Sequence, residues 1–454
     1  MAIIQRAPGH IQSAAPLIAP GASTHKPEDL RAAVKAAFIG TFIEWFDYAS
    51  YLYMSAIVAL VFFPELEGRT ALIYTFGLFA LSFLVRPVGA VIWGHIGDRL
   101  GRIHTLSASI LLMSGATFVI GVLPGYASIG AAAPLLLLAC RFVQAFSAAG
   151  EYAGASTHLA EVAPEGKRGL YSAIVPAATA TGLLLGSLIA TFLTGFLDDG
   201  ALQSWGWRIP FLLAAPLGIY GLIVRLHTNE SERFTEATSE LPDAQAPRGP
   251  VREVLHYPRA LLIGFAGSVL GAIGFYVILT YLPTYLSKEL GMSATMAFIS
   301  SSIASACYAA LTLVTGYLSD RIGRRRAMLV ATGSMLLGAV PAFVLLETEV
   351  FLIVVAVQIF LGALLALNNG VLPAFLSEQF PTRTRLTGFA LTFNFANAIF
   401  GGTAPMVVTW LIGSTGSLLS PAFYLAFAAV VTGIAVVFAG KHNKLADETV
   451  VTAS

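Results

Sequence analysis

Twelve apolar runs, each long enough to cross a bilayer, constrain this chain more than any single motif in it. They fall at 33–63, 71–95, 105–125, 132–160, 170–195, 208–226, 257–287, 294–318, 326–346, 350–376, 386–413 and 420–440, and most are divided by proline, glycine or charge. In hydrocarbon each backbone N–H and C=O has to be paired inside its own segment, so spans of this length read as α-helices. The chain is 56% hydrophobic and only 11% charged, whereas a soluble domain is about one quarter charged. An all-α membrane protein of twelve transmembrane helices is therefore predicted. A net charge of +1 offers no electrostatic footprint for nucleic acid. Cys140 and Cys307 both lie in apolar runs, where a thiol packs as a small hydrophobe; neither a disulfide framework, a metal site nor a cofactor is expected.

The longest polar interruption, His227 to Tyr257, carries Glu230, Glu232, Arg233, Glu236, Glu240, Asp243, Arg248 and Arg252 and divides the spans six and six. The expected organisation is a cytosolic tail over 1–30, a six-helix bundle over 31–226, a cytosolic linker over 227–256, a second six-helix bundle over 257–440 and a tail over 441–454. Basic residues set the orientation. With both termini on one side, the opposite side holds only Arg69, Arg208 and Lys288, which predicts cytoplasmic termini in a cell (inner) membrane. Nothing in 1–30 is apolar for long enough to act as a signal peptide. Trp205-Gly206-Trp207-Arg208, ahead of the sixth span, reads as an interfacial anchor.

Charge inside a span is costly and marks function by default. Glu44 and Asp47 stand three apart in the first span and share a helix face. At about 1.5 Å per residue from Ala33, Glu44 is roughly 16 Å in, and Arg141, entered from Ala132, is about 14 Å in from the other side. The deep acids and this deep base are expected to meet. Arg141 is the first choice for an anion contact, because a guanidinium keeps its proton and can grip a carboxylate through two parallel hydrogen bonds. Gln144, on the same face, is a further ligand candidate. Glu44, Asp47 and Glu151 are the candidates for proton coupling. Arg86, two turns before Gly94, is expected to snorkel toward the cytosol and serve an inner gate. In the second half, Tyr276, Asn368 and Asn394 are candidate pocket residues, with interhelical hydrogen bonding as the plainer alternative.

One loop pattern occurs twice. Gly94-His95-Ile96-Gly97-Asp98-Arg99-Leu100-Gly101-Arg102 follows the second span, and Gly316-Tyr317-Leu318-Ser319-Asp320-Arg321-Ile322-Gly323-Arg324-Arg325 follows the eighth, close to half the chain later. Each copy sets a carboxylate at a helix end, then Arg, a glycine turn and Arg again, a charge cluster able to clamp neighbouring helices in one state and release them in another. The pair resembles the signature loop of the major facilitator superfamily, with Ile103 standing where a second basic residue is usual. That resemblance implies two pseudo-symmetric bundles with a substrate site at their interface.

A narrower resemblance rests on Glu44-Trp45-Phe46-Asp47, Phe62-Phe63-Pro64, Arg86-Pro87-Val88-Gly89, Arg141-Phe142-Val143-Gln144 with Gly150-Glu151-Tyr152, and Glu378-Gln379-Phe380-Pro381-Thr382-Arg383. These look like the metabolite:proton symporter family, and imply uptake of organic acids or compatible solutes driven by protons. Thr41, Ala145, Ala149 and Pro176 depart from the family's usual residues. The leading expectation is a proton-coupled symporter of a small organic acid, a dicarboxylate, keto acid or aromatic carboxylate, acting as a monomer. The alternatives are a symporter of a zwitterionic solute such as betaine or proline, an efflux exchanger, or a transporter-like receptor. An intramembrane enzyme is disfavoured, since no Gly-x-Ser-x-Gly, phosphate loop or histidine pair at ligand spacing is present.

Overall fold

The computed structural model describes residues 27–90, 92–93, 102–226, 250–381 and 384–439. Residues 1–26 and 440–454, residues 227–249 of the linker, and Gly94, Asp98, Arg99 and Gly101 of the first loop motif lie outside the described residues; Arg102 is described as a helical residue without its side chain.

Among the described residues twelve helical spans occur, counting the bent first pair and the shorter apolar third helix. They are α1 (Pro27–Tyr53, continued by Ser55–Phe62), α2 (Gly68–Ala90), α3 (Arg102–Val122), α4 (Ala132–Val162), α5 (Arg168–Phe196) and α6 (Gly206–Val224) in the first half. The second half holds α7 (Pro258–Lys288), α8 (Ala294–Ile322), α9 (Arg324–Leu346), α10 (Phe351–Glu378), α11 (Arg385–Thr415) and α12 (Ser420–Phe438). No strand occurs among the described residues. Within each half the same partners pack: α1 on α5 and α7 on α11, α3 on α6 and α9 on α12, α3 on α4 and α9 on α10. This matched pairing gives the repeated loop motif its structural counterpart, two bundles of six helices. The faces of the bundles turned to lipid keep large apolar side chains exposed, among them Leu135, Leu337, Leu352 and Phe438.

Small residues decide how closely the helices approach. A Cβ added at Gly182 of α5 would stand 2.6 Å from the Phe42 carbonyl oxygen and 2.9 Å from the Phe46 nitrogen, so α5 lies against the bare backbone of α1. Backbone cannot swing aside as a side chain can. Gly182→Leu is expected to destabilise the protein by roughly 1–3 kcal/mol or more through overpacking. Gly115→Leu, at a site where an added Cβ meets nothing within 4 Å, is expected to be tolerated. Melting of the two detergent-solubilised variants checks the contrast; equal melting temperatures would contradict it.

The first helix of each half is irregular near its middle. α1 bends by 58° at Met54, and α7 widens into a π-helical stretch at Phe275–Tyr281, just before Pro283. Proline lacks an N–H and its ring displaces the carbonyl four residues earlier, which here is Leu279 O. That orphaned acceptor takes a 2.8 Å hydrogen bond from the Tyr53 hydroxyl, beside the α1 bend. The two irregularities therefore satisfy one another across the bundle interface. A second π stretch, Asn397–Gly401, precedes Pro405 in α11.

The Trp205 to Arg208 segment differs from its expected anchoring role. Trp207 is fully buried against Phe62 and Phe211, while Trp205 stays half exposed. Arg208 donates to the carbonyls of Gly121 and Leu123 at the end of α3, so the segment locks α6 to α3 more than it floats the chain at an interface.

Candidate substrate and proton site

Helical spacing stacks polar and aromatic groups on facing sides of α1 and α2. Glu44, Asp47, Tyr48 and Tyr51 recur at three and four residues on α1, and Phe79, Phe83 and Arg86 do so on α2. α4 adds Arg141 and Gln144, and α3 adds Thr117. The resulting cluster is buried throughout, with Arg141 at 0% and Glu44, Asp47 and Arg86 at 2% exposure.

The acids and bases pair differently from the expectation. Arg86 Nη2 donates to Glu44 Oε1 at 2.9 Å and to the Tyr48 hydroxyl at 2.8 Å, with its guanidinium 4.5 Å from the Phe83 ring centre. It does not snorkel, because a buried carboxylate and a phenol at its own depth replace the water it would otherwise seek. Those partners all belong to the first half, so a rocking of one half against the other leaves this pair intact. The structure thus gives Arg86 a buried ion pair in place of the expected snorkelling. Depth along a helix was readable in sequence; rotation about it, which selects the partner, was not.

Arg141 is left to aromatic faces. Its guanidinium lies 4.5 Å from the ring of Tyr51, 4.7 Å from Phe79 and 5.3 Å from Tyr48. Nη1 donates to Gln144 Oε1 at 2.9 Å, and the Gln144 amide in turn donates to Thr117 Oγ1. Nε and Nη2 have no hydrogen-bond partner among the described residues. Both carboxylate oxygens of Asp47 are likewise buried without a hydrogen bond among the described residues. Thr117 has already spent its proton on the Met113 carbonyl. From the second half, Tyr276 reaches the cluster, packing on Trp45, Phe79 and Phe83 with its hydroxyl also without a partner.

The other expected positions separate. Glu151 is buried after a 3-10 turn at Ala148–Gly150, farther along α4 than Arg141. Asn368 donates to Asn369 Oδ1, and Asn369 donates to the Tyr308 hydroxyl, an amide chain inside the second half. Asn394 is a bridge: its amide donates to the Ala149 carbonyl across the halves at 3.2 Å.

Contacts close both ends of the interface. On the face carrying Lys167, Arg168, Arg324 and Arg385, here termed the basic face, Asp320 accepts from the backbone nitrogens of Gly169 (2.8 Å) and Leu170 (3.0 Å) at the start of α5. Arg324 bonds Asp320 at 2.6 Å, and at 3.3 Å reaches Glu378. Gly316 and Gly169 let the two backbones meet there, and Gly323, with φ of +90°, turns the chain into α9. Arg321 stands outside this clamp, folding back on Tyr317 of its own helix. On the opposite face Arg69 pairs with Glu289 at 2.7 Å and Thr295 donates to the Thr194 carbonyl at 3.0 Å.

A cavity between the halves is lined by Trp45 and Tyr152, which belong to the family-like motifs, by Asn397, which shares a face with Asn394, and by Thr179, Phe275 and Phe393, which the sequence did not mark. In apolar spans such residues read as packing.

The chain matches the Major Facilitator Superfamily over residues 37–405 and again over 265–448. It belongs to that superfamily. Among curated relatives, the "Proline/betaine transporter" of Escherichia coli (strain K12) is 34% identical over 409 residues, covering 88% of this chain and 82% of that one. Among solved structures, the partially occluded inward open conformation of the xylose transporter XylE from E. coli superposes with a TM-score of 0.68 over 90% of this chain and 97% of that one, at 19% identity. The structure of a D-xylose-proton symporter does so at 0.68 and 20% identity, covering the same shares. At such identities these structures show the fold. As a member of the superfamily with these relatives, the chain is a multi-pass membrane transporter and not an enzyme.

Proposed function

We propose that this transporter moves a small zwitterion bearing one carboxylate, of the betaine and proline class, in symport with a proton. The observation that carries this reading is the unequal commitment of the two buried arginines. Arg86 is held by Glu44 and Tyr48, whereas Arg141 keeps two guanidinium nitrogens without partners. One uncommitted cation suits one carboxylate, and a dicarboxylate would bring a second buried charge with no counterpart. The name of the E. coli relative supports the same class. The expectation of an organic acid keeps its carboxylate and yields its net charge to the zwitterionic alternative.

Coupling follows from competition. When the substrate carboxylate takes Arg141, a neighbouring buried acid such as Asp47 gives up part of that positive charge and binds a proton more readily. Loading substrate and loading proton thus become one event, with the proton returned when the substrate leaves. Glu44, tied to Arg86, serves the scaffold of the site. The excess of basic residues on one face supports cytoplasmic termini.

Reconstitution tests this. Proteoliposomes holding the full chain are expected to accumulate labelled betaine or proline under an inward proton gradient, and to leave labelled succinate and pyruvate outside. Gradient-driven succinate uptake with no betaine or proline uptake would overturn the reading.

A further inference from the structure

The cavity between the halves differs chemically from the arginine cluster. No charged side chain is among its lining residues; four of them are aromatic, Trp45 of α1, Tyr152 of α4, Phe275 of α7 and Phe393 of α11. Tyr152 and Phe393 stack at 4.3 Å with nearly parallel rings, and Trp45 meets Phe275 edge-on at 4.6 Å. Each pair joins one half to the other. Trp45 also touches Tyr48 and Tyr276 of the arginine cluster, so it forms a wall common to both places. Its indole N–H is buried with no hydrogen-bond partner among the described residues.

The cavity extends from the wall it shares with the arginine cluster toward the basic face: Tyr152 follows Arg141 along α4 in that direction by about 16 Å of helix rise, and Thr179 and Asn397 lie in the halves of their helices nearer that face. An anion entering the chamber would shed water and find no countercharge. A quaternary ammonium has no N–H to satisfy and spreads its charge over methyl groups, so aromatic faces can hold it.

We propose that this aromatic chamber is a second binding station on the transport path, on the basic-face side of Arg141, which receives the methylated ammonium end of the substrate. Opening the Tyr152 and Phe393 stack admits the head group between faces contributed by both halves, and Thr179, Asn397 and the Trp45 N–H supply neutral polar contacts for the rest of the molecule. The chamber would then favour quaternary over secondary ammonium groups. This inference rests on the zwitterion reading above.

The test compares KM for betaine and for proline in proteoliposomes of the full chain and of Tyr152→Leu, Phe393→Leu and Tyr152→Phe, each first verified as monodisperse. Tyr152→Leu and Phe393→Leu are each expected to raise the betaine KM about tenfold, as loss of a desolvated cation–π face would, with the proline KM within about threefold of the unmodified chain. Tyr152→Phe, which keeps the ring, is expected to restore it. Two leucine positions on one stack keep the test open if one variant fails to fold. Equal rises for both solutes, an unmoved betaine KM, or a loss in Tyr152→Phe equal to that in Tyr152→Leu would overturn the second station while leaving the zwitterion reading intact. Uptake of an aromatic monocarboxylate whose KM follows the same substitutions would assign the chamber to a ring and also overturn it. Failure of the unmodified chain to take up either zwitterion sinks both proposals.

Discussion

Arg86→Ala is expected to leave the Glu44 carboxylate buried without its cation, at a stability loss of about 3–5 kcal/mol, the range for breaking one partner out of a buried pair. Both side chains are essentially inaccessible, so neither water nor salt can compensate. The loss belongs to the widowed charge more than to the bond. Neutralising the remaining partner is therefore expected to recover most of it, and Arg86→Gln combined with Glu44→Gln, which can hydrogen-bond side by side, is expected to melt within a few degrees of the unmodified protein. Thermal unfolding in detergent, read on Arg86→Gln, Glu44→Gln and the double, checks the cycle. Additive losses in the double variant would mean that the two residues act independently. Because Arg86, Glu44, Tyr48 and Phe83 all lie in the first half, the double variant is also expected to keep its uptake, which separates a scaffold role from a gating one.

Much of this architecture was legible in the chain itself. The twelve apolar runs and the repeated Asp-Arg loop predicted two bundles of six because bilayer thickness fixes helix length and backbone pairing fixes helix type. In the second loop copy Asp320 accepts from the first turn of α5, so this motif joins α8 to the first half. Polar partners were less legible, since Arg86 and Arg141 have similar credentials in sequence and only the rotation of α2 and α4 gives one to Glu44 and the other to three rings. Aromatic residues such as Phe275 and Phe393 carry no signal inside an apolar span until a second helix arrives. One missed signal was available: Pro283 required an outside donor for Leu279 O, and Tyr53 beside a helix break was a candidate.

Loss of transport in Arg141→Ala is expected to be the largest functional effect, roughly a hundredfold or more in uptake at low substrate, since the charge-assisted two-point contact proposed for the substrate carboxylate is removed. Arg141→Lys keeps the charge and loses the flat shape that three aromatic faces now hold, so it is expected to recover little. Asp47→Asn should fail differently. An amide cannot exchange the proton, yet it leaves Arg141 for the substrate, so the variant is expected to exchange betaine or proline across the membrane while losing accumulation under a proton gradient. Counterflow and gradient-driven uptake, measured on the same vesicles, separate the two phenotypes. Loss of both modes in Arg141→Ala and of accumulation alone in Asp47→Asn would place substrate capture on the arginine and proton capture on the acid beside it. Gradient-driven accumulation surviving in Asp47→Asn would move the coupling to another acid, with buried Glu151 on the basic-face side of Arg141 next to be substituted.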